Sequence, residues 1–335
     1  MIDIDQVARN GRPGDCTIIY NNEDIDFRPF AFVLNVRQLV GAKRVEIAPG
    51  YVLRRAQKSE IGYIKKFLKE TFGRGSSVAI WENQPTNSGK ESKLPKNLWR
   101  FFVIEFGDDP NLDLLEAALA VAPVGFDIGF AKIRLDLKGV VRPACLYRAP
   151  SLFQSLSALN LAGGKRDTLM QTIGKAEGDQ IHDLFQRMAR HDQATLDLSG
   201  VLELLLELKD LPRFSPLQIL GYFAILESVL THQPNPDDRY ESITRQITQK
   251  LALLNRRCQP VLGYGPFGGA SHEKIWAKMY SYRSAIAHGR RPDFKGQLAL
   301  LQNADVANEL IRAAVKMAIR QAYIEPQLVG DLHSV

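Results

Sequence analysis

The feature that most constrains the fold is a change in the spacing of apolar residues near residue 150. Before it, apolar and β-branched residues form short runs that are typical of β-strands. After it, apolar residues recur at spacings of three and four, and one helix signal follows another. The 335 residues are enough for two domains with separate cores. We therefore predict an α+β protein, with a mixed α/β domain of antiparallel strands over residues 1–150 and an all-helical domain over residues 151–330.

Several runs in the first half have the composition of strands or helices. The strand candidates are 16–20, 26–36, 77–81, 100–106 and 126–137. The last run alternates well, with a phase slip near Ala131 that indicates a β-bulge. Helices are predicted over 59–72 and over 112–121, where Asn111 is the capping residue. The polar segment 82–96 contains glycine and two prolines, which predicts a mobile surface loop.

The second half is predicted to contain a series of helices, bounded by capping residues and turns. Their predicted ranges are 178–191, 198–208, 215–232, 242–255, 271–288 and 304–323. Ser271 is a favourable N-cap, and Gly289 stands where the helix over 271–288 would end in a left-handed residue.

Composition excludes several classes of protein. The three cysteines, Cys16, Cys145 and Cys258, are too far apart for a CxxC zinc or redox site or a disulfide scaffold. The glycine spacings of a P-loop or a dinucleotide-binding turn are absent, and so is the GxSxG motif, so we expect no metal and no cofactor. No stretch approaches the roughly 20 apolar residues of a membrane span, and residues 1–10 carry no signal segment. We expect a cytoplasmic protein with no membrane partner.

The positive charge of the chain is concentrated near its end. The net charge is +6, but residues 241–330 contain 13 Lys and Arg against 6 Asp and Glu, and the remainder contains 30 against 31. This excess indicates either a well-solvated helical surface or a domain that binds a polyanion.

Arg283 and His288, at the end of the predicted helix 271–288, are a chemically adequate pair for cleaving RNA. A histidine can take the proton of the 2′-hydroxyl or protonate the leaving oxygen, and an arginine can stabilise charge on the phosphoryl oxygens. Five residues of a straight helix turn through about 500°, which leaves the two positions about 140° apart around the axis. The two side chains therefore do not share a face, and His288 must act from the helix end. From spacing alone, a surface arginine and a helix-capping histidine remain an alternative.

Three blocks in a fixed order carry a family resemblance. They are Tyr222-Phe-Ala-Ile-Leu-Glu227, Ser242-Ile-Thr-Arg-Gln-Ile-Thr-Gln-Lys250 and Tyr280-Ser-Tyr-Arg-Ser-Ala-Ile-Ala-His-Gly289. Over residues 175–325 the chain resembles the HEPN superfamily, in particular its Apea-like subgroup, whose signature is an Arg, four to six residues, and a His near a helix end.

The resemblance implies a helical bundle that forms a homodimer, in which the Arg–His motifs of two protomers meet across a cleft. It implies metal-independent RNA cleavage that leaves a 2′,3′-cyclic phosphate, with Arg283 stabilising the scissile phosphate and His288 acting as the acid/base group. Many active members have Asn, Asp or His directly after the Arg, whereas this chain has Ser284, whose hydroxyl can still form a hydrogen bond. Glu227, in the matching upstream helix, is expected either to orient Arg283 by a salt bridge or to be a partly buried structural acid.

Cations near the motif would bind the RNA backbone without sequence preference if they surround the cleft. They are Arg290, Arg291 and Lys295 after the histidine, and Arg245, Lys250, Arg256 and Arg257 on the preceding helix. The aromatic residues Tyr264, Phe267 and Tyr280 either stack on unpaired bases or pack inside the protein.

The leading hypothesis is an endoribonuclease of the toxin or phage-defence type, with RNA as its partner. The N-terminal domain would sense a trigger or a regulatory protein partner and restrain the nuclease. One alternative is a HEPN module without catalysis that acts as an RNA-binding or dimerising assembly subunit. Another is an adaptor whose helical domain only dimerises.

Overall fold

The computed structural model describes residues 15–18, 28–72, 78–86, 91–108, 110–137, 140–162, 166–192, 197–212, 215–232 and 242–334. The chain divides into two compact units: residues 1–119 with 124–186, and residues 120–123 with 187–335. The fold class is α+β, as predicted, because the first unit is built on an antiparallel sheet and the C-terminal half is mostly helical. The segment 151–186, predicted to belong with the helical domain, lies in the first unit.

The described strands form one large sheet and two small ones. They are β1 (Asp15–Ile18), β2 (Phe30–Val33), β3 (Val36–Leu39), β4 (Arg44–Ala48), β5 (Tyr51–Arg55), β6 (Asn83–Pro85), β7 (Glu91–Lys93), β8 (Phe102–Glu105), β9 (Ile128–Leu137), β10 (Val140–Arg148) and β11 (Gln171–Ile173). The large sheet has the order β1-β10-β9-β2-β8-β5-β4, and all its neighbouring strands are antiparallel. Strand β11 pairs with β3 in parallel, and β6 pairs with β7.

The described helices are concentrated after the sheet. They are α1 (Lys58–Phe72), α2 (Ala79–Glu82), α3 (Leu112–Val121), α4 (Ala149–Leu161), α5 (Arg166–Leu169), α6 (Lys175–Ala189), α7 (Ser199–Asp210), α8 (Leu217–Leu230), α9 (Ile243–Arg257), α10 (His272–Ala287), α11 (Ala304–Ile324) and α12 (Pro326–Ser334). No described helix combines the length and the hydropathy that a bilayer span requires.

Most predicted elements agree with the structure, and the disagreements have physical reasons. The six helices predicted after residue 150 are present, with ends within three residues of their predicted positions. The predicted bulge lies at Gly129, because the pairing of β2 with β9 shifts from Phe130 to Ile128. A Cβ atom on Gly129 would lie 2.6 Å from Leu34 Cδ2, so a side chain there would not fit without a shift.

Two predictions in the first half are wrong. The run 77–81 was predicted to be a strand, but residues 79–82 form helix α2, since a short apolar run is compatible with either element. The indole of Trp81 is buried and its Nε1 donates to the carbonyl oxygen of Leu34 at 2.8 Å. Within the segment 82–96, which was predicted to be a loop, strands β6 and β7 form a short hairpin. Residues 87–90 of this segment lie outside the described residues, and so do residues 19–20 of the strand predicted over 16–20.

Aromatic side chains fill the core on one face of the large sheet. Phe30 and Phe32 of β2 and Phe130 of β9 are buried against helix α1. Phe67 of α1 lies with its ring centroid 4.1 Å from that of Phe130. Because aromatic side chains bury large apolar areas, this cluster accounts for much of the stability of the first unit.

A buried ion pair joins the same face of the sheet to the start of α1. Both terminal nitrogens of Arg54 donate to Glu60, at 2.8 and 2.7 Å, and its Nε donates to Glu105 at 2.5 Å. Glu60 also accepts the backbone N–H of Gln57 at 2.6 Å, which satisfies one of the donors at the helix start. The hydrogen bond from Arg54 lowers the pKa of the Glu105 carboxyl.

We expect Glu60→Gln to lower the free energy of unfolding by about 3–5 kcal/mol, because it leaves the guanidinium of Arg54 buried without its main counter-charge. Urea unfolding followed by tryptophan fluorescence measures the change. The matched control is Glu70→Gln on the same helix, since Glu70 is 45% exposed and 4.0 Å from Lys66. Such surface pairs contribute about 0.3–0.5 kcal/mol, so equal effects of the two variants would contradict the importance of the buried pair.

Helix α8 is the central helix of the second unit. It contacts α7, α9, α10, α11 and α12. Its approach to α7 depends on Gly221, where a Cβ atom would lie 2.4 Å from Leu208 Cδ2. Glu227 is the only charged residue of this helix, and its position is set by the burial of the apolar residues around it.

Residues 120–123 belong to the second unit by compactness. The guanidinium of Arg320, on α11, is buried and donates to the carbonyl oxygens of Val121 at 3.5 Å and Gln259 at 3.1 Å. Lys316 donates to the carbonyl oxygen of Ala122 at 3.5 Å. These two cations of α11 therefore bind two carbonyl oxygens of the segment 120–123, which belongs to the same unit.

Candidate catalytic and nucleic-acid-binding site

Helix α10 carries the predicted motif and begins as predicted. The hydroxyl of Ser271 accepts the backbone N–H of Lys274 at 3.4 Å, which satisfies one of the unpaired donors of the first turn. The stripe Ile275, Met279 and Tyr282 is buried. Burial of this stripe fixes the rotation of α10, so Arg283, one position beyond Tyr282, lies at the edge of the buried face.

The helix ends in a Schellman motif immediately after the predicted catalytic histidine. Gly289 is left-handed, with φ of 66°, and its N–H donates to the carbonyl oxygen of Ile286 at 3.0 Å. The N–H of Arg290 donates to the carbonyl oxygen of Ala285 at 2.7 Å. These two bonds define the motif. His288 is the C-cap residue, and its side chain is exposed at the end of the helix.

Arg283 forms a salt bridge with Glu227, which was one of the two roles expected for this glutamate. Nη2 of Arg283 lies 3.5 Å from Oε1 of Glu227, and the two side chains are 32% and 24% exposed. This distance is at the outer limit of a hydrogen bond, so the contact is chiefly electrostatic. The Nε of Arg283 is buried and has no hydrogen-bond partner among the residues that the structure describes.

Two aromatic side chains complete the surroundings of Arg283. Its Cζ lies 5.5 Å from the centroid of the Tyr280 ring, within the range of a cation–π interaction. Phe223, one turn before Glu227 on α8, meets the same ring edge-to-face, with the centroids 5.8 Å apart. Tyr280 is half-buried, so its ring packs against these neighbours instead of standing free in solvent.

Ser284 is half-buried within the last turn of α10. Its carbonyl oxygen accepts the backbone N–H of His288 at 3.1 Å. This backbone hydrogen bond from His288 to Ser284 therefore belongs to the last turn of α10, which positions the histidine.

The segment after the helix is folded back onto it. Phe294 packs against Tyr282 with a centroid distance of 5.2 Å, and Oδ1 of Asp293 accepts the N–H groups of Lys295 at 3.1 Å and Gly296 at 2.9 Å. These contacts order the chain that carries the predicted phosphate-binding residues.

The predicted nucleic-acid-binding cations are mostly at the surface. Arg256, Arg290, Arg291 and Lys295 are exposed. Arg257 is also exposed but lies 2.8 Å from Glu325, so part of its charge is neutralised by that ion pair.

Lys250 and Phe267 do not take the surface positions that binding RNA would need. Lys250 is buried, with its Nζ donating to Gln246 Oε1 at 3.3 Å, and Phe267 is 3% exposed. Lys250 was expected among the surface cations, and its burial could not be predicted because helix periodicity does not reveal which side of a helix other elements cover. The burial of Phe267 agrees with the second of its two predicted roles, packing inside the protein.

Tyr264 is committed to a hydrogen-bond chain that sequence reasoning missed. Its hydroxyl accepts from Trp276 Nε1 at 3.2 Å and lies 2.7 Å from Nδ1 of His272, whose Nε2 lies 2.8 Å from the carbonyl oxygen of Thr248. Because a carbonyl only accepts, Nε2 of His272 donates to Thr248. Burial raises the pKa of Tyr264. This hydrogen-bond chain holds the loop before α10 in place.

Within the described ranges, no group of three or more His, Cys, Asp and Glu side chains is placed to hold a metal ion. Cys258 is buried, with its Sγ 3.2 Å from Gln321 Oε1, and burial raises the pKa of its thiol. Near α10, the described side chains best suited to take part in a reaction are therefore Arg283, Glu227 and His288.

We expect Gly289→Ala to destabilise the second unit by about 1–2 kcal/mol, because a residue with a Cβ atom is strained in the left-handed conformation. A Cβ atom there would meet nothing within 4 Å, so the cost is conformational and not steric crowding. The matched control is Gly200→Ala in α7, where there is equal space and the backbone is helical, so that variant should be stabilised by up to about 1 kcal/mol. Thermal unfolding compares the two, and changes of the same sign would contradict the assignment of the helix end.

Comparison of the chain with protein-family models, with curated proteins and with solved structures gives no match. Function can therefore be inferred only from the chemistry and placement of the chain's own residues.

Proposed function

We propose that this protein is a metal-independent endoribonuclease of the HEPN type, acting in the cytoplasm as a toxin or in defence against phage. The observation that carries the proposal is the pairing of Arg283 with Glu227 five residues before a histidine exposed at a helix end. An arginine held in place and an accessible imidazole are the two groups that cleavage by the 2′-hydroxyl requires.

In the proposed reaction, His288 takes the proton of the 2′-hydroxyl or gives a proton to the leaving 5′-oxygen. The 2′-oxygen bonds to phosphorus, the bond from phosphorus to the 5′-oxygen breaks, and a 2′,3′-cyclic phosphate and a 5′-hydroxyl are formed. Arg283 stabilises the charge on the phosphoryl oxygens. No metal is needed, because the nucleophile belongs to the RNA itself.

The active form is proposed to be a homodimer. Arg283 and His288 are about 140° apart around α10, so one helix does not present both groups on one face. Two copies whose motifs face each other across a cleft would provide two arginines and two histidines. One histidine could then act as the base and the other as the acid.

Exposed cations support binding to the RNA backbone. Arg290 and Arg291 are exposed and follow the proposed catalytic histidine after Gly289, and the backbone N–H of exposed Lys295 donates to Asp293 in the turn beyond them. Their charge is not sequence-selective, so they would supply general affinity for RNA. The N-terminal unit is proposed to sense a trigger or a regulatory partner and to restrain the nuclease.

The second candidate is a HEPN module that binds RNA or assembles without cleaving it. The observation that favours it is Ser284, a neutral and half-buried residue at the position where many active members have Asn, Asp or His. An adaptor that only dimerises would neither bind nor cleave RNA.

Cleavage tests the leading proposal directly. Purified protein with tRNA and total RNA in EDTA should release fragments with 2′,3′-cyclic phosphate ends. His288→Ala and Arg283→Ala should each slow cleavage by about 10²–10⁴-fold, the usual contribution of acid–base and charge-stabilising groups. The matched control is Arg312→Ala, which removes an exposed arginine paired with Glu309 and should cleave at the wild-type rate.

Salt-sensitive binding without cleavage would support the second candidate, and neither binding nor cleavage would leave the adaptor. Sedimentation across a range of concentrations accompanies the assay. A protein that stays monomeric would contradict the composite site even if RNA is cleaved.

The exposed arginines should contribute affinity and not specificity. In an His288→Ala background, which prevents cleavage, Arg290→Ala and Arg291→Ala should each weaken binding to unrelated RNA sequences to a similar extent. Each should reduce the slope of log affinity against log salt by about 1. Fluorescence anisotropy at several salt concentrations measures this, with Arg312→Ala as the control. A slope unchanged by both substitutions would contradict the placement of RNA at this end of α10.

A further inference from the structure

We propose that Tyr280 is a positioning residue for Arg283, an inference that rests on the nuclease function proposed above. The Cζ atom of Arg283 is 5.5 Å from the centroid of the Tyr280 ring, within the roughly 6 Å at which a ring attracts a cation. Tyr280 and Arg283 are three residues apart on α10, so their side chains lie on the same side of the helix. The ring is thus a fixed neighbour of the guanidinium.

The ring is itself held by α8. Phe223 is 1% exposed and meets Tyr280 edge-to-face, with an interplanar angle of 87°. Phe223 and Glu227 are four residues apart on α8 and face the same side. The four side chains Phe223, Tyr280, Arg283 and Glu227 therefore form a ladder between the two helices, which we call the Arg283 ladder. The ring cannot leave the guanidinium without giving up its contact with Phe223.

The salt bridge alone does not set the orientation of the guanidinium. It is a single contact of 3.5 Å, whereas a bidentate pair would fix the plane through two parallel hydrogen bonds. The Nε of Arg283 is buried but makes no hydrogen bond to any described residue. Packing against Tyr280 is therefore the second restraint on the orientation of Arg283.

The buried Nε also limits how a substrate can approach. Its edge of the guanidinium is closed in this conformation, so a phosphate must be met by the terminal nitrogens. A guanidinium already held in one orientation loses little freedom when the transition state forms. Loss of the ring should therefore slow the chemical step more than it weakens RNA binding, which depends mainly on the exposed cations.

The first experiment compares Tyr280→Leu with Tyr280→Phe in single-turnover cleavage. Tyr280→Leu should reduce the rate by about tenfold or more, with the half-saturating RNA concentration changed by no more than about twofold. Tyr280→Phe keeps the ring face and should restore most of the lost rate. Circular dichroism and thermal unfolding show that each variant is folded. If Tyr280→Leu does not fold, Tyr280→Met, which removes the ring but retains bulk, replaces it.

The second experiment does not depend on activity. The Nε–H resonance of Arg283 is identified by its absence in Arg283→Lys, and its hydrogen exchange with water is measured by NMR. Exchange should be slow in wild type and Tyr280→Phe and at least about tenfold faster in Tyr280→Leu, because the buried Nε becomes accessible. Unchanged exchange in Tyr280→Leu, or a Tyr280→Phe variant as defective as Tyr280→Leu, would overturn the positioning role. A wild type that cleaves no RNA but shows this exchange pattern would reject the nuclease and keep the positioning role.

Discussion

The second unit depends on the burial of one apolar helix that carries a single charge. Helix α8 is surrounded by other helices, and its apolar residues fix both its depth and its rotation. A half-buried carboxylate in such a helix needs a cation nearby, because removing a charge from water without a partner is costly. Glu227 finds that cation in Arg283. The position of the arginine is thus a consequence of how α8 packs, and α10 can present its motif only where α8 allows.

The helices were predictable because their signals are local. Ser271, Ser242 and Asn111 each accept a backbone N–H of the first turn, and Gly289 adopts the left-handed conformation that ends α10. Such signals do not depend on the rest of the fold. Strand pairing does depend on the rest of the fold. Strand β11, for example, has only three residues and is recognisable as a strand because it pairs in parallel with β3. The hairpin of β4 and β5 was not predicted although its two strands are adjacent in sequence, and the pairing of β5 with β8 joins residues about fifty positions apart.

The candidate site was predictable to a similar extent and for similar reasons. Arg283, Glu227 and the exposure of His288 follow from the motif blocks and the helix end. The burial of Lys250 does not follow, since it depends on which neighbours cover it. The spacing of Phe223 with Glu227 and of Tyr280 with Arg283 was a usable signal for the Arg283 ladder. It could be interpreted only once α8 and α10 were known to be in contact.

The binding of the carbonyl oxygens of Val121 and Ala122 by α11 limits how the chain can be divided. By compactness the polypeptide passes between the two units three times, at residues 119/120, 123/124 and 186/187. A truncated protein that begins at residue 187 would keep Arg320 but lose the carbonyl oxygen of Val121, and Lys316 would lose that of Ala122. Arg320 is buried, and burial lowers its pKa, so a lost acceptor is not easily replaced by water. The helical half is therefore not a module that one cut can release intact. Loss of activity in such a fragment would have two explanations: the lost contacts of Arg320 and Lys316, and the missing N-terminal unit.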